Sequence, residues 1–192
     1  ETMKVYPYEF GLNVSYFLND DMINVVWTVR NMGKEEMHFQ IGGHPAFNLP
    51  GVREGEKMEG AILFDHEEPL TRIIGNTEGC IKPERYELKT EKHIWVFDEE
   101  SFAEDAVILD RSQVGLAILL DSDGRPQIGI SFDAPCIGIW SPYGKNAPFV
   151  CLEPWYGVHD WAGYEGEFKD KYLMNHLLPG AAFMSSYEIK VF

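Results

Sequence analysis

The fold of this chain is decided by residues 147–158, which read Ala147-Pro148-Phe149-Val150-Cys151-Leu152-Glu153-Pro154-Trp155-Tyr156-Gly157-Val158. The run from Phe149 to Leu152 is apolar without a break, as expected for a strand that is covered on both faces. Alternation along a strand places Cys151 and Glu153 on the same face. Pro154 has no N–H to donate, so the sequence predicts that the strand ends at Glu153.

The position of Glu153 is open to two interpretations. Next to apolar and aromatic neighbours, loss of water raises the pKa of a carboxyl group toward neutrality, where a general base is most useful. The alternative is a rim glutamate that is solvated or paired with a lysine. That second role is the more common one for a carboxylate at a strand end, and the local sequence leaves both open.

Composition limits the classes of partner. Sixteen Lys and Arg residues against 31 Asp and Glu residues give a net charge of −15, which argues against nucleic acid and anionic membranes. No run of 18 apolar residues predicts a membrane span. The three cysteines (Cys80, Cys136, Cys151) have no close spacing, which predicts free thiols in a reducing, cytoplasmic compartment. No linker divides the chain, so residues 1–192 are predicted to form a single domain.

Strand patterns dominate the rest of the chain. Alternating apolar residues predict a meander of three strands, near residues 10–18, 23–29 and 37–41. Shorter strand candidates follow, and residues 106–109 and 114–120 are predicted to form a hairpin. Only residues 167–178 are compatible with a helix. Many short strands at this spacing predict an all-β sandwich or barrel.

A second stretch carries chemistry at residues 40–50, around His44. The pair Gly42-Gly43 removes two side chains next to it, which predicts either a bulge or room for a ligand to approach the backbone. Pro45 ends the strand directly afterwards. A lone histidine at a strand end is usually a surface or core residue, but the flanking glycines and proline favour a role at a site.

His44 and Glu153 are far apart in sequence, but a closed all-β sheet could bring them together. An acid and a base at one site suit proton exchange at the anomeric centre of a sugar. The base takes the proton from the C1 hydroxyl while the acid protonates the ring oxygen. The ring opens, the C1–C2 bond rotates, and reclosure gives the other anomer.

The stretches Ile41-Gly42-Gly43-His44-Pro45-Ala46-Phe47-Asn48 and Phe149-Val150-Cys151-Leu152-Glu153-Pro154-Trp155 resemble the paired motifs of the aldose 1-epimerase (galactose mutarotase) family. The opening residues 6–10 and the segment 137–141 are also similar to that family. The resemblance covers most of the chain, and both motifs occur in the expected order.

The resemblance implies an antiparallel β-sandwich of the galactose mutarotase (supersandwich) type that acts on a monosaccharide without a cofactor or metal. It implies His44 as the acid at the ring oxygen and Glu153 as the base at the C1 hydroxyl. Asp105 stands where the family has a sugar-binding aspartate, although a turn or capping residue is nearly as good an interpretation. The residues expected as walls for the apolar face of the sugar, with core packing as their default role, are Phe47, Trp140 and Trp155.

One departure from the family pattern matters. Family members are longer, and this chain is similar to their C-terminal part, so the N-terminal part of the sandwich is expected to be absent. That part normally supplies an arginine and a further histidine to the site, and no His-Gly pair occurs in this sequence. Unpaired strand edges are then expected, and a homodimer that restores the missing edge is a hypothesis.

Three functional classes therefore remain. A mutarotase of free aldoses needs both His44 and Glu153, whereas a non-catalytic carbohydrate-binding protein needs neither as an acid–base pair. A glycosidase needs a second carboxylate, for which only Asp105 is available by position. A phosphosugar enzyme would need clustered Arg or Lys, and none flanks either motif. The six histidines are scattered in sequence, which predicts no metal site.

Overall fold

The computed structural model describes residues 2–67, 69–75 and 79–192, and strands account for most of its regular structure. In chain order the strands are β1 (Phe10–Asn19), β2 (Met22–Asn31), β3 (Met37–Phe39), β4 (Ile41–Gly42), β5 (Ala46–Asn48), β6 (Glu59–Phe64), β7 (Leu70–Gly75), β8 (Ile81–Leu88), β9 (Ile94–Asp98), β10 (Val107–Leu109), β11 (Leu116–Leu120), β12 (Pro126–Phe132), β13 (Cys136–Trp140), β14 (Phe149–Tyr156), β15 (Asn175–Leu177) and β16 (Ala182–Val191). The helical turns are short 3₁₀ segments at Thr2–Lys4, Glu99–Phe102 and Phe168–Asp170.

The strands form two antiparallel sheets and a small ribbon. The first sheet has the order β1-β2-β16-β12-β11-β6-β9. The second has the order β4-β14-β13-β10-β7-β8, with β5 also paired to β14. The ribbon consists of β15 and β3. This architecture confirms the predicted antiparallel β-sandwich.

The main core lies between the two sheets. Apolar residues that alternate along β2 and β14 meet there, including Trp27 from the first sheet and Val150 and Leu152 from the second. Val150 and Leu152 are fully buried, so burial of their side chains stabilises the sandwich by roughly 1.5–3 kcal/mol each. Cys151 and Glu153 point to the opposite face of β14, as alternation predicts.

A segment without regular strands covers the outer face of the second sheet. We call residues 157–174 the overlying segment. Trp161 and Tyr172 pack there against a second apolar cluster, with their ring centroids 5.4 Å apart. The backbone N–H of Ile81 donates a hydrogen bond to the carbonyl of Asp160 at 2.8 Å, which ties the segment to β8. Together the sheet and the segment enclose a cavity.

Three sequence predictions about connections are wrong. The segment 37–41 does not continue the meander: β3 pairs with β15 and β4 with β14, because β16 occupies the free side of β2 along its length. Residues 110–113 do not form a hairpin, since β10 lies in the second sheet and β11 in the first. Residues 167–178 contain a 3₁₀ turn and β15 in place of a helix, because pairing with β3 overrides the local pattern.

Pro154 does not end its strand either, because β14 continues to Tyr156. The carbonyl of Pro154 accepts a hydrogen bond from the N–H of Gly43 at 3.0 Å. The proline nitrogen therefore faces the interruption between β4 and β5, where no ladder donor is needed. This geometry keeps the strand intact on both sides of Glu153.

The strand β1 forms one edge of the first sheet and exposes several large apolar side chains, among them Leu12, Tyr16 and Leu18. Unpaired strand edges of this kind are what the sequence analysis leads us to expect. Among the helical turns of the described residues, none is long and apolar enough to cross a membrane.

Candidate active site

The cavity lies on the outer face of the second sheet and has a volume of about 730 Å³. It brings together side chains from the two sequence motifs and from segments that sequence reasoning left aside. Of the residues predicted for the site, those that line this cavity are His44, Asp105, Trp140, Glu153 and Trp155.

His44 is held against Glu153 by the backbone on each side of it. The N–H of Gly43 bonds to the carbonyl of Pro154, and the N–H of Leu152 bonds to the carbonyl of Pro45 at 3.1 Å. Because these hydrogen bonds bracket both residues, the His44 Nε2 atom lies 3.4 Å from the Glu153 Oε1 atom. The side chain of His44 is 65% exposed and that of Glu153 only 4%, so the histidine faces the open side of the cavity.

Glu153 has the electrostatics of a general base. Burial is the main cause that raises its pKa from 4.5 to about 7, and the negative charge of Asp105 raises it further. The nearby His44 and a hydrogen bond from Trp155 act in the opposite direction and only partly offset the loss of water. A carboxyl group with a pKa near 7 can both accept and release a proton at neutral pH.

Trp155 is positioned by two glycines. Its indole Nε1–H donates a hydrogen bond to Glu153 Oε2 at 3.2 Å. A Cβ atom on Gly42 would lie 2.6 Å from the Trp155 ring, and one on Gly138 would lie 2.4 Å from it. The absence of a side chain at Gly42 therefore makes room for the Trp155 ring, and Gly42 and Gly43 both line the cavity next to His44.

Trp140 and Asp105 complete the predicted set within the cavity. The Trp140 ring meets the His44 ring edge-on, with centroids 6.1 Å apart. Asp105 has a φ of 67°, in a turn just before β10, and its charge contributes to the raised pKa of Glu153. The structure thus places Asp105 near Glu153, while its role in binding a sugar stays a prediction.

The structure does not bring Phe47 to the cavity. It pairs with Val150 across β5 and β14 and packs against the main core between the sheets. Alternation in β5 explains this result, since the flanking residues Ala46 and Asn48 point the other way. Phe47 therefore takes the core-packing role that was its default, and it forms no wall of the cavity.

Several cavity residues were missed by sequence reasoning. Lys171 lies in the stretch interpreted as a helix, and its Nζ bonds to Asp160 Oδ2 at 2.8 Å. His159 and Asp160 also line the cavity, and their position directly after the glutamate motif is a usable signal. Gln40 also lines the cavity, and its side-chain amide donates to the carbonyl of Tyr172 at 2.9 Å.

Two groups of side chains have the spacing of metal ligands among the described residues. His44, Cys151 and Glu153 form one of them, at the cavity. Burial and the charge of Glu153 raise the pKa of Cys151 to about 12, which disfavours the thiolate that a metal would need. The chemistry of this group therefore favours acid–base work.

Comparison with known proteins agrees with this geometry. Residues 1–158 match the sequence model of the family described as aldose 1-epimerase. The chain belongs to the aldose 1-epimerase family. The family resemblance predicted from the two motifs is thereby confirmed.

Individual aldose 1-epimerase relatives are similar over the whole chain. The protein LacX of Lactococcus lactis subsp. lactis is 31% identical over 196 aligned positions. A galactose mutarotase-like protein from Lactobacillus casei superposes with a TM-score of 0.91 at 27% identity. A galactose mutarotase related enzyme from Lactobacillus acidophilus gives a TM-score of 0.87 at 30% identity. In each case all of this chain is covered, together with 65%, 66% and 64% of the respective relative.

Proposed function

We propose that this chain carries the acid–base centre of a mutarotase that interconverts the α and β anomers of a free aldohexose. The observation that carries the proposal is the contact between His44 Nε2 and Glu153 Oε1 at 3.4 Å, in which the carboxyl group is buried and has a pKa near 7. The two solved relatives, a galactose mutarotase-like protein and a galactose mutarotase related enzyme, support a galactose-like substrate.

The separation of the two groups suits the reaction. The C1 hydroxyl and the ring oxygen of an aldose are bonded to the same carbon, so groups 3.4 Å apart can each reach one of them. Glu153 takes the proton from the C1 hydroxyl while His44 gives a proton to the ring oxygen. The ring opens, the C1–C2 bond rotates, and the two groups exchange protons in the reverse sense when the ring closes.

The surrounding residues suit a sugar. Trp140 and Trp155 provide flat apolar walls, and Asp105 provides an acceptor for hydroxyl groups. The pair formed by Lys171 and Asp160 adds a charged donor and a charged acceptor on the overlying segment.

A cytoplasmic location and a homodimer remain parts of this proposal. The location rests on the free cysteines, and the homodimer rests on the exposed edge strand β1.

The test is anomer interconversion of freshly dissolved α-glucose and α-galactose, followed by polarimetry or NMR. We expect the chain to accelerate it and Glu153→Gln and His44→Asn each to reduce that acceleration by about 10²–10⁴-fold, the usual contribution of general acid–base catalysis. Glu87→Gln, which changes an exposed carboxylate on β8, is the matched control and should leave the rate unchanged.

The alternative is a carbohydrate-binding protein without catalysis. This alternative rests on the difference in length. The chain aligns with 65% of LacX, and the remaining residues of that longer relative have no counterpart in the alignment. A folded wild-type chain that leaves the anomer ratio unaccelerated, yet whose tryptophan fluorescence changes with added sugar, would favour the binding protein. Acceleration that persists in Glu153→Gln would contradict the proposed mechanism.

A further inference from the structure

A second cluster of titratable side chains lies on the ribbon of β3 and β15, away from the cavity lining. His38 and His176 are directly paired across the two strands. Their Nδ1 atoms face each other at 3.1 Å, and their ring centroids are 4.8 Å apart. These two histidines are 138 residues apart in sequence, and only the pairing of β3 with β15 brings them together.

Glu36 is the third member of the cluster. Its Oε2 atom lies 4.0 Å from His38 Nε2, and one ligand atom from each of the three residues lies within 4.8 Å of the other two. Zinc–nitrogen bonds are about 2.0–2.1 Å long, so two nitrogens 3.1 Å apart subtend an angle of about 100° at a shared metal ion. The Glu36 side chain is 45% exposed, and to complete a site at the two Nδ1 atoms its carboxylate must move from the Nε2 edge of the His38 ring to the Nδ1 edge.

The backbone around the histidines is fixed. The hydroxyl of Tyr6 donates to the carbonyl of His38 at 2.6 Å. The side-chain amide of Asn175 donates to the carbonyls of Phe39 and Tyr156, each at 2.9 Å. Rigid strands of this kind hold ligand positions better than loops do. His176 is exposed while His38 is nearly buried, so a metal ion reaches the cluster from solvent.

We propose that Glu36, His38 and His176 form a binding site for a divalent transition metal of the Zn²⁺ class. Two imidazoles and one carboxylate suit Zn²⁺, Ni²⁺ or Cu²⁺ better than the all-oxygen ligand sets that Mg²⁺ and Ca²⁺ prefer. Water fills the fourth position. The bound ion clips β15 to β3 and so fixes the C-terminal end of the overlying segment, which lines the cavity.

The test uses the chain without a histidine tag, titrated with Zn²⁺ by calorimetry. We expect binding that weakens in His176→Gln and in Glu36→Gln, both of which change exposed residues that leave the core intact. Loss of a residue that only supports a metal ligand lowers metal affinity roughly tenfold or more. Loss of a ligand itself should lower the affinity at least as much. Zn²⁺ should also raise the thermal midpoint of the wild-type chain more than that of either variant.

The matched control is His93→Asn. His93 and His66 form another histidine pair with ring centroids 4.8 Å apart, and neither belongs to a ligand group among the described residues. Asparagine tolerates the φ of 68° at position 93. Zinc affinity should be unchanged in this variant, and equal weakening in His93→Asn and His176→Gln would overturn the proposal.

Cobalt spectroscopy separates this cluster from the other ligand group. Co²⁺ bound to Glu36, His38 and His176 should show ligand-field bands without a thiolate-to-cobalt charge-transfer band. A charge-transfer band would place the ion at Cys151, in the group with His44 and Glu153, and would contradict the proposal. Absence of any zinc binding to the folded chain would also overturn it, whatever the mutarotation assay gives.

Discussion

Two carboxyl groups are buried on the second sheet, and their surroundings differ. Asp110 follows β10 and is fully buried, while Glu153 on β14 is 3% exposed. Asp110 accepts hydrogen bonds from Arg85 and, at 2.7 Å, from the hydroxyl of Tyr172. Among the described residues, Glu153 accepts a hydrogen bond from the indole N–H of Trp155 and lies next to the ring of His44, while the nearby Asp105 carries a like charge.

The difference shows that burial alone does not make a base. Asp110 has a permanent cation as its bonded partner, and the hydrogen bond to Asp110 is the main cause that raises the pKa of Arg85. Glu153 has no guanidinium partner in the structure, so loss of water dominates and raises its pKa to about 7. One carboxylate is therefore suited to holding the fold together and the other to exchanging protons.

The largest effect on stability is expected at the structural carboxylate. Asp110→Asn removes the fully buried member of the pair and leaves the partly buried Arg85 guanidinium without its counter-charge, and removing one partner of a buried ion pair costs about 3 kcal/mol or more. Urea unfolding at neutral pH should show this loss of free energy. A loss within about 0.5 kcal/mol, the range of ordinary surface substitutions, would break the comparison.

At the proposed base, Glu153, replacing the carboxylate by an amide is expected to raise the free energy of unfolding. The pKa of Glu153 is 4.5 when unfolded and about 7 when folded, so between these pH values the folded chain binds a proton that the unfolded chain has lost. The free energy of unfolding therefore falls as the pH rises from 4.5 to 7, by about 3 kcal/mol at most. The substitution Glu153→Gln removes this pH-dependent fall in the free energy of unfolding. The side-chain oxygen of the amide can still accept the hydrogen bond from Trp155.

The measurement for this second prediction is urea unfolding of wild type and Glu153→Gln at several pH values. The variant should be more stable than wild type at pH 8, and the difference should vanish as the pH falls to 4.5. The other titrating groups are shared by both chains, so the difference isolates Glu153. A constant difference across this range would mean that Glu153 does not change protonation there.

The two carboxylates also differ in how well the sequence predicts them. Glu153 ends an apolar run, and that local pattern leaves open a buried base or a solvated rim glutamate; in the structure the residue is buried. Asp110 has no such pattern, and it was interpreted as part of a hairpin turn. Its partners Arg85 and Tyr172 lie 25 and 62 residues away, and only the crossing between sheets brings them together.

The fold shows the same contrast between features that the local sequence predicts and features that depend on long-range contacts. Alternation predicts most long strands, because the side-chain period of two is a local property. It does not predict which strands pair, since partner choice depends on the whole sandwich: β16 takes the place next to β2, and β15 forms in a stretch interpreted as a helix. Lys171 and the His38–His176 pair were missed for that reason.

A third prediction concerns the hydrogen bond between Trp155 and Glu153. This bond lowers the pKa of Glu153, so Trp155→Phe should raise that pKa above 7, by roughly one unit for a hydrogen bond to a charged group. A ¹³C NMR titration of the labelled glutamate carboxyl group measures the shift directly. Trp140→Phe, which truncates another indole of the cavity, is the control and should give a smaller change.

The smallest effect on stability is expected at a third carboxylate, Asp160. This residue tests whether a carboxylate stabilises the fold strongly only when it is both buried and bonded to a cation. Its side chain is 40% exposed and bonds to Lys171 at 2.8 Å. Asp160 thus has a cation, as Asp110 does, but water competes for it. Exposed ion pairs contribute about 0–1 kcal/mol, so Asp160→Asn should lower the free energy of unfolding by less than about 1 kcal/mol.

A double-mutant cycle with Lys171→Met isolates the interaction between the two side chains. The coupling free energy should be small and should shrink further as salt is added, because solvent ions screen exposed charges. A coupling as large as the loss expected for Asp110→Asn would mean that the overlying segment shields this pair from water. A bonded cation in surroundings shielded from water would then distinguish both Asp110 and Asp160 from Glu153.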